Sequence, residues 1–211
     1  MANDSPDMGQ ILDKAENLMS NSKFSDAIEA LEKAVSIDPN NRIVWDNVII
    51  CNLELKRPKK ALEAMNSILN IDPTAYQVWA DKAYLHFLLQ EDGEGVEALR
   101  NSLKLNPRNY RDWFLLGSVF MSNERWDDAR DAFHNALQLN PTDSAVWYNL
   151  AAVNYMIGDF GAALGAAEQA TSIDPTMDLS EDEWLEELKD TFEPFTDSDD
   201  DDLMFDLAAG S

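Results

Sequence analysis

Residues able to carry out acid-base, nucleophilic or metal chemistry are few and widely separated in this sequence. Histidine occurs twice, at His86 and His134, and cysteine occurs once, at Cys51. Neither histidine has a second histidine or a cysteine at the spacing of metal ligands, and no nucleophile stands beside a base. The stretch EDGEG at residues 91–95 lacks the glycine and lysine order of a phosphate-binding loop. The sequence therefore predicts no active site, no metal site and no cofactor.

Acidic residues dominate the charge of the chain and are concentrated towards its C-terminal end. The formal net charge is −24, and residues 176–211 hold 14 Asp and Glu against the single Lys189. Such a field repels nucleic acids and anionic membranes and attracts basic surfaces. No apolar run reaches the length of a membrane span, the first residues lack a signal-peptide pattern, and a lone cysteine cannot form an internal disulfide. These observations favour a cytoplasmic protein that binds neither nucleic acid nor membrane.

Tryptophan and proline recur through the chain with one common period. Every 34 residues a tryptophan and a proline return, at Trp45, Trp79, Trp113 and Trp147 and at Pro39, Pro73, Pro107, Pro141 and Pro175. A fixed period of this length indicates a repeat protein. Apolar residues at helical spacing fill two segments of each period, and the proline ends the second segment because it cannot continue a helix. Each period therefore predicts a hairpin of two helices.

The pattern resembles the tetratricopeptide repeat, which has Trp and Leu-Gly on its first helix and Ala, Phe, Ala and Pro on its second. The fourth period carries the resemblance most fully, at Trp113, Leu116, Gly117, Phe120, Ala129, Phe133, Ala136 and Pro141. Other periods depart at single positions, such as Ile11 in place of the first tryptophan. The resemblance implies an all-α fold, a right-handed superhelical solenoid in which each hairpin buries its apolar faces against its neighbours.

The period also predicts how the chain is divided. Residues 1–7 are a short N-terminal extension. Residues 178–193 combine helically spaced apolar residues with an acidic outer face, which predicts a capping helix. Residues 194–211 are acidic and have no helical period, which predicts a disordered tail. Between the extension and the capping helix lie five predicted repeats, at 8–41, 42–75, 76–109, 110–143 and 144–177.

The resemblance implies where a partner binds, because the first helices of the repeats line a concave groove in that family. Stacking of the hairpins does not require apolar residues at these positions, yet many of them are apolar, which favours binding of an amphipathic helix or extended peptide. Asp46 and Asp81 would favour basic flanks on that partner. Some of the aromatic residues could instead pack against neighbouring first helices. The predicted groove residues are Ile43, Asp46, Asn47, Ile50, Asp81, Tyr84, Phe87, Arg111, Phe114, Met121, Tyr148 and Tyr155.

One specificity of the resembled family is absent from the sequence. Some members clamp the C-terminal carboxylate of large heat-shock chaperones with Lys, Asn and Arg side chains. Each register in which such a clamp could lie matches at one of five positions at best, and Glu16, Asp46 and Asp81 occupy several of the others. Acids there would repel a terminal carboxylate. The sequence therefore predicts no chaperone-tail clamp.

The predicted tail carries apolar residues directly after a run of acids. In DSDDDDLMFDL, these are Leu203, Met204, Phe205 and Leu207. Such a segment could be a linear motif that docks on a partner or on the protein's own groove, or it could only keep the chain soluble. The densest basic cluster, KRPKK at residues 56–60, could pair with Asp199–Asp202, although a solvated turn is the favoured interpretation.

Two functions are compatible with these features. The first is a non-enzymatic protein-interaction scaffold or adaptor that binds a partner helix or peptide in its concave groove. The alternative is a chaperone-like or regulatory protein whose acidic tail binds basic partners and could inhibit the groove. Nothing in the sequence indicates an enzyme.

Overall fold

The computed structural model describes residues 7–177 and 183–192, and in this part of the chain every regular element is an α-helix. The boundary between two compact units falls between Asp112 and Trp113. The predicted tail and its four apolar residues lie outside the described residues. The helices are α1 Met8–Ser20, α2 Phe24–Ile37, α3 Arg42–Glu54, α4 Pro58–Ile71, α5 Tyr76–Leu88, α6 Asp92–Leu105, α7 Tyr110–Ser122, α8 Trp126–Leu139, α9 Ser144–Ile157, α10 Phe160–Ile173 and α11 Glu183–Phe192.

Side-chain caps fix the starts of several helices. The Asn41 side chain accepts a hydrogen bond from the Val44 amide at the start of α3. The Asp143 carboxylate accepts from two amides at the start of α9, and the Asp159 carboxylate accepts from Ala162 at the start of α10. At α4, Pro58 occupies the first turn, where its missing N–H costs no hydrogen bond. These caps satisfy backbone donors that no intrahelical carbonyl can reach.

The shared period of tryptophan and proline has a direct structural cause. The indole Nε1 of Trp45 donates a hydrogen bond of 2.8 Å to the carbonyl of Pro39, six residues earlier. Trp79 donates in the same way to Pro73 at 3.1 Å, and Trp147 to Pro141 at 2.9 Å. Each bond ties the first helix of a repeat to the turn that ends the preceding one. The two residue types therefore recur together.

A left-handed residue closes each hairpin between its first and second helix. Positive φ angles of 56–60° occur at the non-glycine residues Ser22, Lys56, Gln90 and Glu124, and the fifth turn uses Gly158 at 87°. These positions are 34 residues apart, so one turn geometry serves all five hairpins. A left-handed backbone is strained for residues with a Cβ, and glycine adopts it freely.

The first unit, up to Asp112, is held by two apolar clusters. One joins α1, α2 and the buried residues Val44 and Cys51 of α3. The other joins α4 to Val78 and Leu85 of α5 and includes Met65 and Ile68. Small residues such as Ala15 and Ala27 are fully buried where paired helices approach each other. Each apolar face is thus covered by the neighbouring hairpin as well as by its own partner helix.

In the second unit, from Trp113 onward, the side chains that pack against each other differ more in size than those of the first unit. Phe133 of α8 is fully buried, and its ring lies over Gly117 of α7, where an added Cβ would come within 2.7 Å of it. Alanines line the interface between α9 and α10. The helix α11 lies within the predicted capping segment and buries Leu185 and Leu188.

Candidate peptide-binding groove

A groove in the first unit runs between α3 and α5, the first helices of two consecutive repeats. We call it the α3–α5 groove. Its floor consists of the buried side chains of Met65, Val78 and Leu85, and its volume is about 690 Å³. That volume lies within the range of ligand pockets. The residues that line it are Arg42, Asp46, Ile49, Ile50, Leu53, Met65, Gln77, Val78, Asp81, Tyr84, Leu85 and Leu88.

The walls of this groove are apolar and open to solvent. Tyr84 is 58% exposed and Leu88 62%, and Ile50 and Leu53 are also exposed. Ile43, another exposed apolar residue, lies on α3 but does not line the groove. Contiguous exposed apolar side chains are costly in water and mark binding surfaces more often than isolated ones do. The α3–α5 groove is therefore suited to the apolar face of a helix or peptide.

Two carboxylates lie in this apolar setting and differ in their partners. Asp46 pairs with Arg42 at 3.5 Å, and the same guanidinium lies 3.9 Å from Asp72. Asp81 forms no ion pair with any residue that the structure describes. Although Asp81 keeps contact with water, its neighbours remove part of its hydration, and this desolvation raises its pKa. A cation brought by a ligand would restore the lost stabilisation of that charge.

A buried carboxyl group lies near Asp81 in the same unit. Asp112 is buried at the start of α7, and its Oδ2 lies 2.5 Å from the Ser102 hydroxyl, which also donates to the Tyr76 carbonyl at 3.0 Å. Burial raises the pKa of Asp112, the hydrogen bonds that its ionised form accepts from Ser102 and Asn109 oppose the rise, and the charge of Asp81 adds to it. A hydroxyl has one proton, so both contacts are satisfied when a protonated Asp112 donates to Ser102.

The predicted groove residues separate into groups. Asp46, Ile50, Asp81 and Tyr84 line the α3–α5 groove together. Asn47 is half-buried, and its Nδ2 has no hydrogen-bond partner among the described residues. Sequence reasoning did not select Leu88, although it lies seven residues after Asp81 and hence on the same face of α5.

Phe87, another predicted groove residue, packs against α6. Its ring turns towards α6 and fills the space that a Cβ on Gly95 would occupy. The other repeats have a fully buried alanine at the position of Gly95, for example Ala61 and Ala129. The absent methyl group opens a pocket between α5 and α6, and the half-buried Phe87 packs there instead of lining the α3–α5 groove.

The remaining predicted groove residues lie on α7 and α9. Arg111 is exposed, and Met121 and Tyr148 are half-buried. The ring of Phe114 lies 6.2 Å from that of Phe133, so it packs against the second helix of its own hairpin. Tyr155 contacts Phe160 at 5.6 Å and, at 5.2 Å between ring centroids, Trp184 of α11. Phe114 and Tyr155 therefore have packing roles in the second unit.

Residues with catalytic potential remain separate from this groove. The Nδ1 atom of His86 lies 2.8 Å from Glu91 Oε2 in the turn between α5 and α6, whereas His134 is exposed. Cys51 is fully buried, and desolvation raises the pKa of its thiol, which disfavours the reactive thiolate. Over residues 7–177 and 183–192, no group of three His, Cys, Asp or Glu side chains could hold a metal ion. The helices of these ranges are too short or too polar to cross a membrane.

Comparisons with known families agree with the repeat pattern. Residues 18–83 match the family described as tetratricopeptide repeat, and residues 96–159 match the family described as cytochrome c-type biogenesis protein H TPR domain. The chain is a tetratricopeptide repeat protein. The predicted family and its all-α repeat fold are thereby confirmed. No curated protein sequence matches the chain.

Solved tetratricopeptide repeat structures share this fold at low sequence identity. A crystal structure of MamA protein is 19% identical, with a TM-score of 0.68 over 88% of this chain and 95% of that one. MamA from Desulfovibrio magneticus RS-1 is 15% identical, with a TM-score of 0.65 over 81% and 97%. YrrB, described as a TPR protein with an unusual peptide-binding site, is 16% identical, with a TM-score of 0.66 over 81% and 88%. At such identities the likeness concerns the fold alone.

Proposed function

We propose that this tetratricopeptide repeat protein is a non-enzymatic interaction scaffold whose α3–α5 groove binds an amphipathic helix or extended peptide of a protein partner. The observation that carries the proposal is the row of exposed apolar side chains along one groove, formed by Ile50, Leu53, Tyr84 and Leu88. They cover a buried floor and are themselves left in water. Burial of this surface by a partner would provide the driving force for binding. The peptide-binding site named for YrrB gives a precedent within the same fold.

The charges of the groove define the chemistry of the partner. Asp46 is partly neutralised by Arg42, but Asp81 forms no ion pair with a described residue. A lysine or arginine next to the apolar face of the peptide would pair with Asp81 in a partly desolvated setting, where charge pairs are stronger than in bulk water. A terminal carboxylate would instead meet repulsion at this position. We therefore propose a partner that combines apolar anchors with basic residues.

A designed peptide can test this function directly. The probe is a labelled helix about four turns long with leucine along one face and lysine beside it. We expect Tyr84→Ala and Leu88→Ala each to weaken its binding by about tenfold, because each removes apolar contact area. The matched control is Ile37→Ala, since Ile37 is 53% exposed in the same unit but outside the groove. Fluorescence anisotropy gives the dissociation constants. Equal losses at Ile37 and Tyr84 would show non-specific adhesion and contradict the proposal.

The role of Asp81 can be tested by reversing its charge. We expect Asp81→Lys to weaken the lysine peptide and to strengthen a matched peptide in which glutamate replaces every lysine. Asp131→Lys, which changes an exposed aspartate of the second unit, should leave the preference between the two peptides unchanged. A preference that responds equally to both substitutions would assign the effect to net charge and not to the groove.

A further inference from the structure

A second groove in the first unit lies on another face of α3, between α2 and α4, and we call it the α2–α4 groove. Its volume is about 420 Å³. Trp45 and Val48 of α3 form part of its apolar lining, whereas Asp46 and Ile50 of the same helix line the α3–α5 groove. The two grooves therefore share α3 without sharing a residue. The lining residues are Ile28, Glu32, Val35, Trp45, Val48, Asn52, Arg57, Lys60, Glu63, Ala64 and Ser67.

One end of the α2–α4 groove is basic. The turn between α3 and α4, together with the first turn of α4, has four bases within residues 56–60. None of the four forms an ion pair with a described residue, and Arg57 and Lys60 line the groove. Glu32 and Glu63 also line it, but they lie on α2 and one turn further along α4. The basic end can therefore pair with carboxylates of a ligand.

The bases at the start of α4 do not stabilise the helix that they begin. The positive end of the helix dipole lies there, so acids stabilise a first turn and bases destabilise it. The helices α2, α6 and α8 each have acids in the first turn, whereas α4 has none and has Lys59 and Lys60 instead. In the equivalent groove of the second unit, Asp159 and Ala162 occupy the positions of Arg57 and Lys60. Folding of the repeat therefore does not account for the basic end of the α2–α4 groove.

A buried oxygen atom of the groove lacks a hydrogen-bond partner. Asn52 lines the groove and is only 3% exposed. Its Nδ2 donates to the Val48 carbonyl at 2.9 Å, but its Oδ1 has no partner among the described residues. An unsatisfied buried acceptor is unfavourable, and the backbone N–H of a docked peptide would satisfy it. A bare anion would instead meet the negative end of the amide dipole, so this atom favours a peptide.

We propose that the α2–α4 groove binds an acidic segment of a protein partner, in which carboxylates stand next to apolar side chains. The carboxylates pair with Arg57 and Lys60, and an apolar side chain packs against Trp45 and Val48. A backbone N–H of the segment donates to Asn52 Oδ1. A nucleic acid would supply phosphates for the bases, but the net charge of −24 on the chain repels a long polyanion more than a short acidic segment. The inference does not depend on the function proposed for the α3–α5 groove.

A designed acidic peptide tests this site in the full chain. The labelled probe has four glutamates followed by valine, leucine and phenylalanine, and fluorescence anisotropy gives its dissociation constant. We expect Arg57→Asp with Lys60→Ala to weaken binding by about tenfold or more. The control Arg100→Asp with Lys104→Ala makes the same charge change on exposed positions of α6 and should leave the affinity unchanged. Equal weakening by both pairs, or an equal loss with Tyr84→Ala in the α3–α5 groove, would overturn the assignment.

Replacement of Asn52 tests whether the groove recognises a peptide backbone. Leu18 occupies the same position in the first repeat, so the fold accommodates leucine there. We expect Asn52→Leu to weaken binding of the probe by about fivefold, because it removes the acceptor for the peptide N–H. The matched control Asn154→Leu, at the equivalent and similarly buried position of the second unit, should leave the affinity unchanged. Unchanged or tighter binding to Asn52→Leu would contradict recognition through this oxygen.

The indole N–H signals of Trp45 and Trp147 report where the probe binds, because each indole lines one of the two equivalent grooves. We expect addition of the probe to move the Trp45 signal in NMR spectra while the Trp147 signal stays in place. A labelled single-stranded oligonucleotide of about eight nucleotides is titrated in parallel and should bind at least about tenfold more weakly than the peptide. Equal shifts at both tryptophans, or an oligonucleotide that binds as tightly as the peptide, would overturn the proposal.

Discussion

Ser102 and Asp112 form a buried polar pair where the other repeats have apolar residues. One period earlier the pair is Ile68 and Val78, and one period later it is Ala136 and Val146, all of them buried. The exchange of apolar packing for a carboxyl group requires that its polar atoms be satisfied. The contact of 2.5 Å to Ser102, together with the bond from Ser102 to the Tyr76 carbonyl, satisfies a protonated carboxyl better than an ionised one.

This arrangement predicts how Asp112 changes stability with pH. Its pKa is raised in the folded state, so the folded protein holds the proton more tightly than the unfolded chain. The associated stability is fully present below the unfolded pKa of about 3.9, and it is lost as the pH rises through the folded pKa. Asp112→Asn imitates the protonated carboxyl because its amide can donate to Ser102.

We expect Asp112→Asn to be more stable than the unchanged protein at pH 7 and to lose most of this advantage at pH 4. Urea unfolding followed by circular dichroism at both pH values gives the difference in free energy. Asp131→Asn, at an exposed position of α8, should show no such change between the two pH values. A constant difference between Asp112→Asn and the unchanged protein would contradict the raised pKa.

Replacing Gly158 or Gly161 by alanine is expected to change the free energy of unfolding in opposite directions. Neither has an atom within 4 Å of an added Cβ, but Gly158 has a φ of 87° and Gly161 lies within α10. Gly158→Ala should lower the free energy of unfolding by about 1 kcal/mol, because a side chain is strained in the left-handed region. Gly161→Ala should raise it by about 0.5–1 kcal/mol through helix propensity. Thermal or urea unfolding checks both, and changes of the same sign would contradict this account.

At the scale of the elements, Gly117 determines how closely α7 approaches α8. An added Cβ would lie 2.7 Å from the ring of Phe133, which is fully buried and cannot move into solvent. We expect Gly117→Ala to lower the free energy of unfolding by about 1–3 kcal/mol. Adding Phe133→Leu should recover part of the loss, because Ala15 with Leu31 and Ala83 with Leu99 occupy the same positions in other repeats. Urea unfolding of both single variants and the double variant tests this coupling.

The sequence predicted the helices well because their limits depend on local chemistry. The prolines end the second helices, and the tryptophans lie on the first helices at a fixed spacing, so the period alone locates both helices of each hairpin. The directions of individual side chains were harder to predict, because they depend on single residues that depart from the repeat pattern. The ring of Phe87 lies where a Cβ on Gly95 would be, and the ring of Phe133 lies where a Cβ on Gly117 would be, so a single missing methyl group changes the local packing.

The groove residues were partly predictable for the same reason. The family register led to Asp46, Ile50, Asp81 and Tyr84, which line the α3–α5 groove. Leu88 could have been found by following one face of α5 for two further turns, from Asp81 through Tyr84. The buried Oδ1 of Asn52 has no hydrogen-bond partner among the described residues. No sequence pattern could predict this, because it depends on which side chains surround the atom.

At the scale of the whole molecule, the proposed binding in the α3–α5 groove relies mainly on apolar burial, although the net charge of the chain is −24. We expect an increase from about 0.1 M to about 1 M NaCl to weaken binding of the leucine and lysine peptide by less than tenfold, because salt screens charge pairs and leaves apolar burial in place. Titrations of this peptide at both salt concentrations measure the change. A larger loss would show that the charge of the chain, and not the apolar groove, drives binding.

The hydrogen bond from Trp45 to Pro39 has a practical consequence for exchanging repeats between proteins. If a repeat is cut out at the predicted boundary between residues 41 and 42, the Trp45 indole is separated from its acceptor, the Pro39 carbonyl. The transplanted repeat then lacks this hydrogen bond. A repeat that begins at a proline and ends just before the next proline keeps the hydrogen bond between its tryptophan and that first proline. Recombination in this family should therefore follow the proline-to-proline frame, and grafted modules cut in that frame should fold with fewer compensating changes.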